Sequence, residues 1–433
     1  MNVSYKYYLK LTYFSIKGFA QSYKNIINFA TFAFIDFVYH ENKKFIQMNR
    51  KLRMGMVGGG SNAFIGAIHR SAALMDNQIE LVCGCFSTDP DISLSSGKSY
   101  FLPENRIYRT YQEMFEEEVK LPKEEQMDFV TIVTPNAFHF EPAMMALERG
   151  FHVVVDKPMT FSLEQAKLLK AKVEETGLIL ALTHTYSAFP AVKEAKERIA
   201  RGDIGNVRKV YVEYPQGWLA TRIELAGGNN AGWRTNPKIS GKAGAMGDIG
   251  THAWHLAEYI SGLKVTELCA EIKAFAPGRP IDDDGAALLR FDNGATGVLF
   301  ASQIAVGEEN AIAIRIYGEK GGLEWHEQEP NTLLAKWLDR PTELIRVGTG
   351  FMSDMAKYNS RTPGGHPEGY IEAFANIYRN FSYTVRAKIN GQQPQPEWLD
   401  FPTVDDGVRG MQFIETVVTA GYDDSQKWVK WIE

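Results

Sequence analysis

Short apolar runs alternate with amphipathic stretches along residues 51–187. The apolar runs predict strands at 51–58, 79–86, 129–133, 152–155 and 178–183. The stretches between them predict helices at 67–76, 111–118, 140–149 and 163–175. Strands that alternate with helices of this length are typical of a parallel, doubly wound sheet. The sequence therefore predicts an α/β nucleotide-binding domain of the Rossmann type over residues 51–187.

The pattern changes after residue 188, where strands begin to follow one another directly. Helices are predicted at 192–201, 248–261 and 367–385, and strands at 207–218, 268–275, 286–291, 297–303, 311–317 and 322–326. Turns such as Asp292-Asn293-Gly294 are short, and short turns between strands favour antiparallel pairing. We therefore expect residues 188–433 to form an α+β domain with a large open, mainly antiparallel sheet.

Composition and charge limit the class of protein. A chain of 433 residues is long enough for two domains, and 45% hydrophobic with 23% charged residues is typical of a globular protein. A net charge of −5 is mild and argues against a nucleic-acid partner. The three cysteines give no disulfide framework. Cys83 and Cys85 share one face of a predicted strand, so we interpret them as buried free thiols rather than metal ligands.

Residues 1–50 form an N-terminal extension that is rich in Tyr, Phe and Lys. Its longest apolar run, residues 26–39, is interrupted by Asn28 and Asp36 and is shorter than the roughly 20 residues that span a bilayer. A small-residue cleavage site does not follow it, which argues against a signal peptide. Either the segment is an amphipathic surface helix, or translation begins at Met48, which we favour because a domain starts directly after it. We expect a cytoplasmic protein without a membrane partner.

A glycine cluster follows the first predicted strand, with the spacing Gly58-x-Gly60-x5-Gly66. Glycines at such a turn let the backbone approach a pyrophosphate, and the N-terminus of the next helix supplies free N–H groups. The usual fingerprint has two residues before its last glycine, so this loop is three residues longer. We expect Gly58, Gly60, Phe64 and Ile65 to contact a dinucleotide.

The end of the second predicted strand bears on the choice of cofactor. An acidic residue there normally binds the adenosine ribose, but this position holds Phe86-Ser87-Thr88, and Asp89 comes slightly later. Without that carboxylate the site would tolerate a 2′-phosphate, whereas Asp89 could still reach the ribose. Ser87 and Asp89 are therefore candidate cofactor-binding residues, and the choice between NAD and NADP stays open.

Polar groups follow the third and fourth predicted strands, at Thr134-Pro135-Asn136 with His139 and at Asp156-Lys157-Pro158. In doubly wound sheets, ligands bind at the carboxyl ends of strands. A lysine that leaves an apolar strand and is followed by proline is therefore predicted to reach into the ligand crevice.

A second candidate group lies in the predicted helix at 248–261. Asp248 and His252 are four residues apart and share one helix face, and His255 is three residues further on. Imidazole titrates near neutral pH, and a carboxylate can raise its pKa and orient it, which suits proton transfer. The alternative is that Asp248 caps the helix and His252 belongs to the core.

Together these motifs resemble the glucose–fructose oxidoreductase/inositol dehydrogenase/MocA family, from about residue 51 to residue 326. The resemblance rests on the following elements: Val57-Gly58-Gly59-Gly60 with Gly66 and His69, Thr134-Pro135-Asn136 with His139, Asp156-Lys157-Pro158, Trp233-Arg234, and the run from Gly247 to His252. Two departures are the longer glycine loop and Asp156, where the family more often has Glu.

The resemblance implies NAD or NADP as cofactor and a catalytic trio of Lys157, Asp248 and His252. In the family the lysine contacts the reacting hydroxyl, the histidine is the acid/base, and the aspartate orients the substrate or the histidine. Thr134, Pro135, Asn136, His139, Asp156 and Lys157 would then line the cofactor site. The resemblance also implies a homodimer or homotetramer that forms through the C-terminal sheet.

The hypothesis is an NAD(P)-dependent oxidation of a secondary hydroxyl on a sugar, glycoside or cyclitol. Candidates for the substrate wall are Tyr186, Trp218, Arg234, His255 and Trp254, since aromatic faces cover sugar C–H surfaces. The acidic run at 282–284 is interpreted as a solvated turn rather than a metal site, because hydride transfer needs no cation.

Two other functions stay open. One is a glycoside C3-oxidising or glycoside-cleaving enzyme in which tightly bound NAD is recycled. The other is a non-catalytic nucleotide-sensing regulator, which would be expected to lose the lysine or the histidine, whereas this chain has both Lys157 and His252.

Overall fold

The structure of this protein is a computed structural model that describes residues 50–226, 229–423, 425 and 427–433, without the side chains of 229 and 230. The two interpretations of the N-terminal extension fall on 1–49, outside the described residues. The chain divides into two units, residues 1–50 with 389–391 and residues 51–388 with 392–433. The second unit contains both sheets and the candidate site.

The first sheet has five parallel strands in the order β2-β1-β3-β4-β5. They are β1 (Leu52–Gly58), β2 (Ile79–Cys85), β3 (Phe129–Val133), β4 (His152–Val155) and β5 (Leu180–Leu182). Every residue of β3 and β4 is buried, as expected for strands covered on both faces by helices. The predicted doubly wound sheet is confirmed, and Cys83 and Cys85 are buried free thiols.

Five helices connect these strands: α1 (Phe64–Met75), α2 (Pro90–Ser99), α3 (Tyr111–Glu118), α4 (Phe140–Glu148) and α5 (Leu163–Thr176). Helix α1 begins three residues before the predicted start at 67. Helix α2 was not predicted, because its sequence is rich in serine and has little apolar periodicity. It begins with a side-chain cap from Asp89 and a proline in the first turn, both favoured at helix N-termini.

The second sheet has nine strands in the order β13-β12-β11-β10-β6-β9-β8-β7-β14. They are β6 (Val207–Pro215), β7 (Val265–Lys273), β8 (Asp284–Phe291), β9 (Thr296–Ser302), β10 (Ala313–Gly318), β11 (Gly321–His326), β12 (Thr332–Trp337), β13 (Glu343–Arg346) and β14 (Val429–Lys430). Neighbouring strands are antiparallel except β6 and β9, which are parallel. The predicted open, mainly antiparallel sheet is confirmed, and the sequence analysis missed β12, β13 and β14.

The helices of the second half are α6 (Pro190–Ala200), α7 (Asn229–Arg234), α8 (Pro237–Ser240), α9 (Thr251–Ser261), α10 (Asp354–Tyr358), α11 (Tyr370–Ile389) and α12 (Val404–Tyr422). A π-helical turn, Met246–Gly250, precedes α9. The predicted single helix at 248–261 is therefore two segments, with Asp248 in the π-helical turn and His252 in α9.

The last long helices, α11 and α12, return to the first sheet. Tyr378 Oη lies 2.7 Å from His69 Nδ1, and Phe381 packs edge-on against Phe129 in β3. The backbone N–H of Leu182 in β5 donates to the carbonyl of Pro402, just before α12, at 2.8 Å. The domain boundary at 187/188 stays a prediction, and C-terminal helices pack across it. Within the described ranges, every helix is too short or too polar to cross a membrane.

Candidate active site

A cavity of about 670 Å³ opens at the carboxyl ends of β3 and β4, on the side that faces the second sheet. Both halves of the chain contribute to its walls. The first half contributes Phe64, Ile65, Thr134, Pro135, Asn136, His139, Asp156 and Lys157, and the second half contributes Tyr186, Tyr214, Gln216, Trp218, Trp233, Arg234, Asp248, His252, Asn310 and Glu327. In open α/β sheets this is the position at which ligands bind.

The glycine loop after β1 is shaped for close backbone approach. Gly58 and Gly59 have φ values of 82° and 73°, which side-chain-bearing residues rarely adopt. A Cβ on Gly66 would lie 2.3 Å from the Cα of Gly59, so only glycine lets α1 approach the loop this closely. Ala63 occupies the N-cap position of α1, and alanine has no oxygen to cap the first N–H groups. The loop and the helix start therefore fit a pyrophosphate.

The other residues expected near the adenosine lie beside this loop. The N–H of Gly60 donates to the carbonyl of Phe86 at 3.1 Å, which ties the loop to the end of β2. Asp89 Oδ1 accepts from the backbone N–H groups of Asp91 (2.9 Å) and Ile92 (3.3 Å) and caps α2. Ser87 Oγ accepts from the N–H of Asp89 at 3.1 Å. Ser87 and Asp89 thus lie at the strand end where a ribose would bind.

The residues after β3 connect neighbouring elements. Asn136 Nδ2 donates to the carbonyl of Ser240 at 2.8 Å, across to the second half of the chain. His139 Nε2 lies 2.7 Å from the carbonyl oxygen of Thr134, and its Nδ1 lies 2.9 Å from that of Pro158. Burial lowers the pKa of His139, although the nearby Asp156 opposes this effect. His139 therefore joins the two strand ends through a carbonyl oxygen at each of its ring nitrogens.

Lys157 and Asp248 meet in the cavity. Lys157 Nζ lies 2.8 Å from Asp248 Oδ1 and 2.5 Å from the Asp248 backbone carbonyl oxygen. Gln303 Nε2 donates to Asp248 Oδ2 at 2.8 Å, and Arg234 Nε lies 3.5 Å from the same oxygen. Burial alone would raise the pKa of Asp248, but Lys157 and Arg234 hold it well below its usual range. Asp248 is therefore a fixed anion bound to the lysine rather than a helix cap.

His252 lines the same cavity, and the side chain that faces its Nδ1 is a second histidine. Its Nδ1 lies 3.5 Å from Nδ1 of His184, while both oxygens of Asp248 bind other groups. Burial and the charge of Lys157 lower the pKa of His252 well below its usual range, and the smaller opposing effect of Asp248 does not offset them. Asp248 thus raises the pKa of His252, as a carboxylate is expected to do, but burial and Lys157 outweigh it, and the imidazole is neutral at physiological pH.

Three of the five expected substrate-wall residues line the cavity: Tyr186, Trp218 and Arg234. His255 and Trp254 do not, which corrects the expectation. Helix α9 is buried on nearly all sides. Trp254 and His255 therefore pack against other parts of the protein, away from the cavity. His255 is 4% exposed and stacks on His184, and Trp254 is 1% exposed and stacks on Phe413.

Sequence reasoning missed a polar network on the cavity wall. Asn310 Oδ1 accepts from Tyr214 Oη at 2.6 Å and from Gln216 Nε2 at 2.7 Å. Asn310 Nδ2 donates to Tyr186 Oη at 3.0 Å, and Tyr186 and Tyr214 share a short hydroxyl–hydroxyl bond. These residues belong to no short motif, because pairing within the second sheet brings distant segments together. One feature of the sequence could have indicated this network: the strand that contains Tyr214 ends in polar residues.

The acidic run at 282–284 is not the solvated turn that we expected. Asp282 and Asp283 are 1% and 0% exposed. Asp282 accepts from the backbone N–H groups of Gly244 (2.6 Å) and Met246 (2.8 Å), and so fixes the turn that carries Asp248. Burial raises the pKa of Asp282 to about 6. Among the described residues, no cluster of three His, Cys, Asp or Glu side chains has the geometry of a metal site.

Comparisons with known proteins match both halves of the chain. Residues 52–184 match the model of an oxidoreductase family with an NAD-binding Rossmann fold, and residues 192–324 match the GFO/IDH/MocA C-terminal domain. An uncharacterized oxidoreductase, YfiI of Bacillus subtilis, is 32% identical over 390 residues, which are 88% of this chain and 98% of that protein.

Solved structures show the same architecture. An inositol dehydrogenase homologue from Azotobacter vinelandii, complexed with NAD+, is 31% identical with a TM-score of 0.84, covering 88% of this chain and 98% of that one. The crystal structure of an inositol dehydrogenase homologue from the same organism, complexed with NADH and myo-inositol, is 30% identical with a TM-score of 0.82, covering 89% and 99%. The cofactor expected from the glycine loop is therefore the one that these relatives bind.

Proposed function

This chain belongs to the GFO/IDH/MocA family of NAD-binding oxidoreductases, and we propose that it oxidises a secondary hydroxyl of an uncharged sugar, glycoside or cyclitol. The observation that carries the proposal is the meeting of Lys157 and Asp248 at 2.8 Å in a cavity that His252 also lines. The lysine comes from the end of a strand in the first sheet, and the other two residues come from the second half of the chain. An ammonium and a neutral imidazole in one cavity suit the removal of a proton from an alcohol.

We assign the roles as follows. The ammonium of Lys157 donates a hydrogen bond to the reacting hydroxyl oxygen and stabilises the alkoxide as it forms. His252 is a neutral ring and takes the hydroxyl proton on the ring nitrogen that carries no hydrogen. Asp248 holds the ammonium in place. NAD+, when bound, accepts the hydride from the carbinol carbon, so the products are a ketone, NADH and a proton on His252.

The glycine loop and the start of α1, with Phe64 and Ile65, would hold the pyrophosphate, and Thr134, Pro135, Asn136 and His139 would lie beside the nicotinamide half. We propose NAD rather than NADP, because Asp89 places a carboxylate at the end of β2, on the residue that caps α2. A carboxylate binds the two ribose hydroxyls and repels a 2′-phosphate.

The cavity wall supports an uncharged polyol. Tyr186, Asn310 and Gln216 present hydroxyl and amide groups, and Trp218 supplies an aromatic face with its Nε1 hydrogen-bonded to Gln216 at 3.0 Å. Glu327, whose pKa is raised by burial, also lines the cavity. The two cations of the cavity, Lys157 and Arg234, already face Asp248, so a phosphate or carboxylate on the substrate would compete with that anion.

We also propose a cytoplasmic homodimer or homotetramer that forms through the outer face of the nine-stranded sheet. The exposed side of this sheet carries large apolar side chains, among them Tyr211, Leu288, Tyr317 and Leu344. Such residues are favoured where a second copy covers a sheet.

The test is an absorbance assay for NADH with a panel of inositols, free sugars, glycosides and sugar phosphates, each with NAD+ and with NADP+. We expect turnover with NAD+ and at least one uncharged polyol, and slower turnover with the matching phosphate ester. Turnover only with phosphorylated or carboxylated sugars would contradict the substrate class. Cofactor that copurifies, does not exchange and supports product formation without net NADH would indicate recycled NAD, and binding of NAD without any turnover would indicate a sensor.

A further inference from the structure

A second histidine lies directly behind the candidate base. His184 follows β5, is 2% exposed, and has its Nδ1 3.5 Å from Nδ1 of His252. The two rings are nearly perpendicular, at 83°, with their centroids 5.4 Å apart. On its face, His184 stacks on His255, with ring centroids 4.2 Å apart and planes 11° apart. His184 thus contacts the base but is separated from the cavity by it.

Enzymes that use a histidine as base need a partner for its second ring nitrogen, because that partner decides which nitrogen carries the hydrogen. A carboxylate usually fills this role, but both oxygens of Asp248 bind other side chains here, Lys157 and Gln303. The group that faces Nδ1 of His252 is the imidazole of His184.

We propose that His184 is a positioning residue, whose unprotonated Nδ1 accepts the Nδ1–H of His252 and leaves Nε2 of His252 free to take the substrate's proton. This inference rests on the proposed function, since it concerns the base of that reaction. Two neutral imidazoles form a hydrogen bond between their Nδ1 atoms only when one Nδ1 carries a hydrogen and the other does not. Were both hydrogens on the far nitrogens, two lone pairs would face each other in a buried site.

The surroundings favour neutral rings at this pair. Lys157 places a positive charge near both imidazoles, and His255 faces both of them from the same helix as His252. Asp248 is the anion near His252, and the rings of Tyr186 and Tyr214 pack against His252. Burial is the largest influence at both His184 and His252 and disfavours a cation on either ring.

The stack fixes the plane of His184. Nε2 of His255 lies 3.7 Å from Oδ1 of Asp406, in the first turn of α12, and Asp406 in turn accepts from the backbone N–H of Thr403 at 2.7 Å. The orientation of the base is therefore supported by a stack of side chains that ends on the C-terminal helix.

The first experiment compares His184→Phe with His184→Asn. Phenylalanine keeps an aromatic ring but has no acceptor, whereas the asparagine oxygen takes nearly the place of Nδ1. For His184→Phe we expect kcat to fall about 10–100-fold, by analogy with the loss of a hydrogen-bond partner that orients a metal-bound histidine, with KM for the polyol and Kd for NADH nearly unchanged. His184→Asn is expected to recover most of the lost kcat, and His366→Asn, an exposed histidine, serves as the control.

Equal losses in the phenylalanine and asparagine variants, or an unchanged kcat in both, would overturn the inference. A loss that appears in KM or in NADH affinity instead of kcat would also count against it, because it would indicate a collapsed cavity.

The second experiment measures the tautomer without any turnover. In protein labelled with 15N-histidine and saturated with NAD+, the ring nitrogens of His252 are identified by comparison with His252→Gln. We expect a protonated Nδ1 and an unprotonated Nε2 in the wild type, and loss of that preference in His184→Phe. A protonated Nε2 in the wild type refutes the role of His184 even if the enzyme is active. Absence of turnover with the expected tautomer present refutes the proposed function alone.

Discussion

The ammonium of Lys157 lies 2.8 Å from the carboxylate of Asp248, although 91 residues separate them in the chain. Lys157 leaves the end of β4, and Asp248 lies in the π-helical turn before α9. This ion pair joins the cofactor side of the cavity to its substrate side. It also explains why the neighbouring imidazole of His252 is not paired with the carboxylate.

Replacing Lys157 by Ala should lower kcat by about 10²–10³-fold, the usual effect of removing one group that stabilises a developing oxyanion. Binding of NADH should persist, because the glycine loop and α1 are untouched, and Asp248 retains Arg234 and Gln303. Steady-state kinetics and NADH fluorescence titration measure the two effects. Lys242→Ala, which removes an exposed lysine paired with Glu415, is the matched control and should be neutral. Near-normal rates in the Lys157 variant would remove this residue from the mechanism.

The pH profile should reflect the low pKa of His252. Since burial and Lys157 lower that pKa well below 6.5, the neutral form that can accept a proton is present throughout the neutral range. We expect kcat/KM for polyol oxidation to have no limb from His252 at pH 6.5 or above, and to fall only at clearly lower pH. Ketone reduction needs the protonated ring, so its rate should keep rising as the pH falls through the same region. An acid limb at pH 6.5–7 that disappears in His252→Gln would contradict a neutral, desolvated base.

The close approach of α1 to the glycine loop makes Gly66 intolerant of a side chain. A Cβ there would lie 2.3 Å from the Cα of Gly59, so Gly66→Ala has to displace the loop or the helix. We expect a stability loss of about 1–3 kcal/mol, typical of overpacking, with NADH affinity reduced at least tenfold. Chemical denaturation and NADH titration measure the two effects. Gly350→Ala, where a Cβ meets open space, should change neither, and an unaltered NADH affinity in Gly66→Ala would show that the loop does not bind the pyrophosphate.

Asp89→Ser tests the choice of cofactor without removing the helix cap, because serine also caps helix N-termini well. Loss of the carboxylate should reduce kcat/KM for NAD and raise it for NADP, so that the NAD/NADP ratio falls about 10-fold or more, equivalent to about 1.4 kcal/mol. Asp91→Ser, which removes a second carboxylate from the first turn of α2, is the matched control. It should leave the NAD/NADP ratio of kcat/KM unchanged. A ratio that stays constant in Asp89→Ser would indicate that the ribose is bound elsewhere.

Much of the fold was readable from the sequence where local pattern and tertiary environment agree. The predicted bounds of β3, β4 and α3 match the structure, because β3 and β4 are short, mostly apolar runs that are fully buried and α3 has a clear N-cap at Thr110. The sequence motifs also pointed to Lys157, Asp248 and His252, and all three line one cavity in the structure. Helix α2 was not predicted, because its serine-rich sequence shows little apolar periodicity.

Features that depend on burial or on strand register could not be read from the sequence. Asp282 and Asp283 looked solvated because acidic runs usually are, yet they are buried and satisfied by backbone N–H groups. Asn310 contacts Tyr214, 96 residues away, only because of how the strands of the second sheet pair. His184 could not be predicted as the neighbour of His252, because helix spacing shows which residues share a face but not which groups their atoms already bind.

The return of the C-terminal segment to the first sheet has a consequence for biosynthesis. Strand β5 pairs through Leu182 with Pro402, and Arg409 in α12 binds Glu258 in α9 at 2.7 Å. All the proposed catalytic residues are synthesised before this segment. A nascent chain that already contains them therefore still lacks the residues that cover the edge of the parallel sheet. An exposed sheet edge invites pairing with other chains. Products that end before Pro402 should thus be inactive and prone to aggregate, even though they contain every proposed catalytic residue.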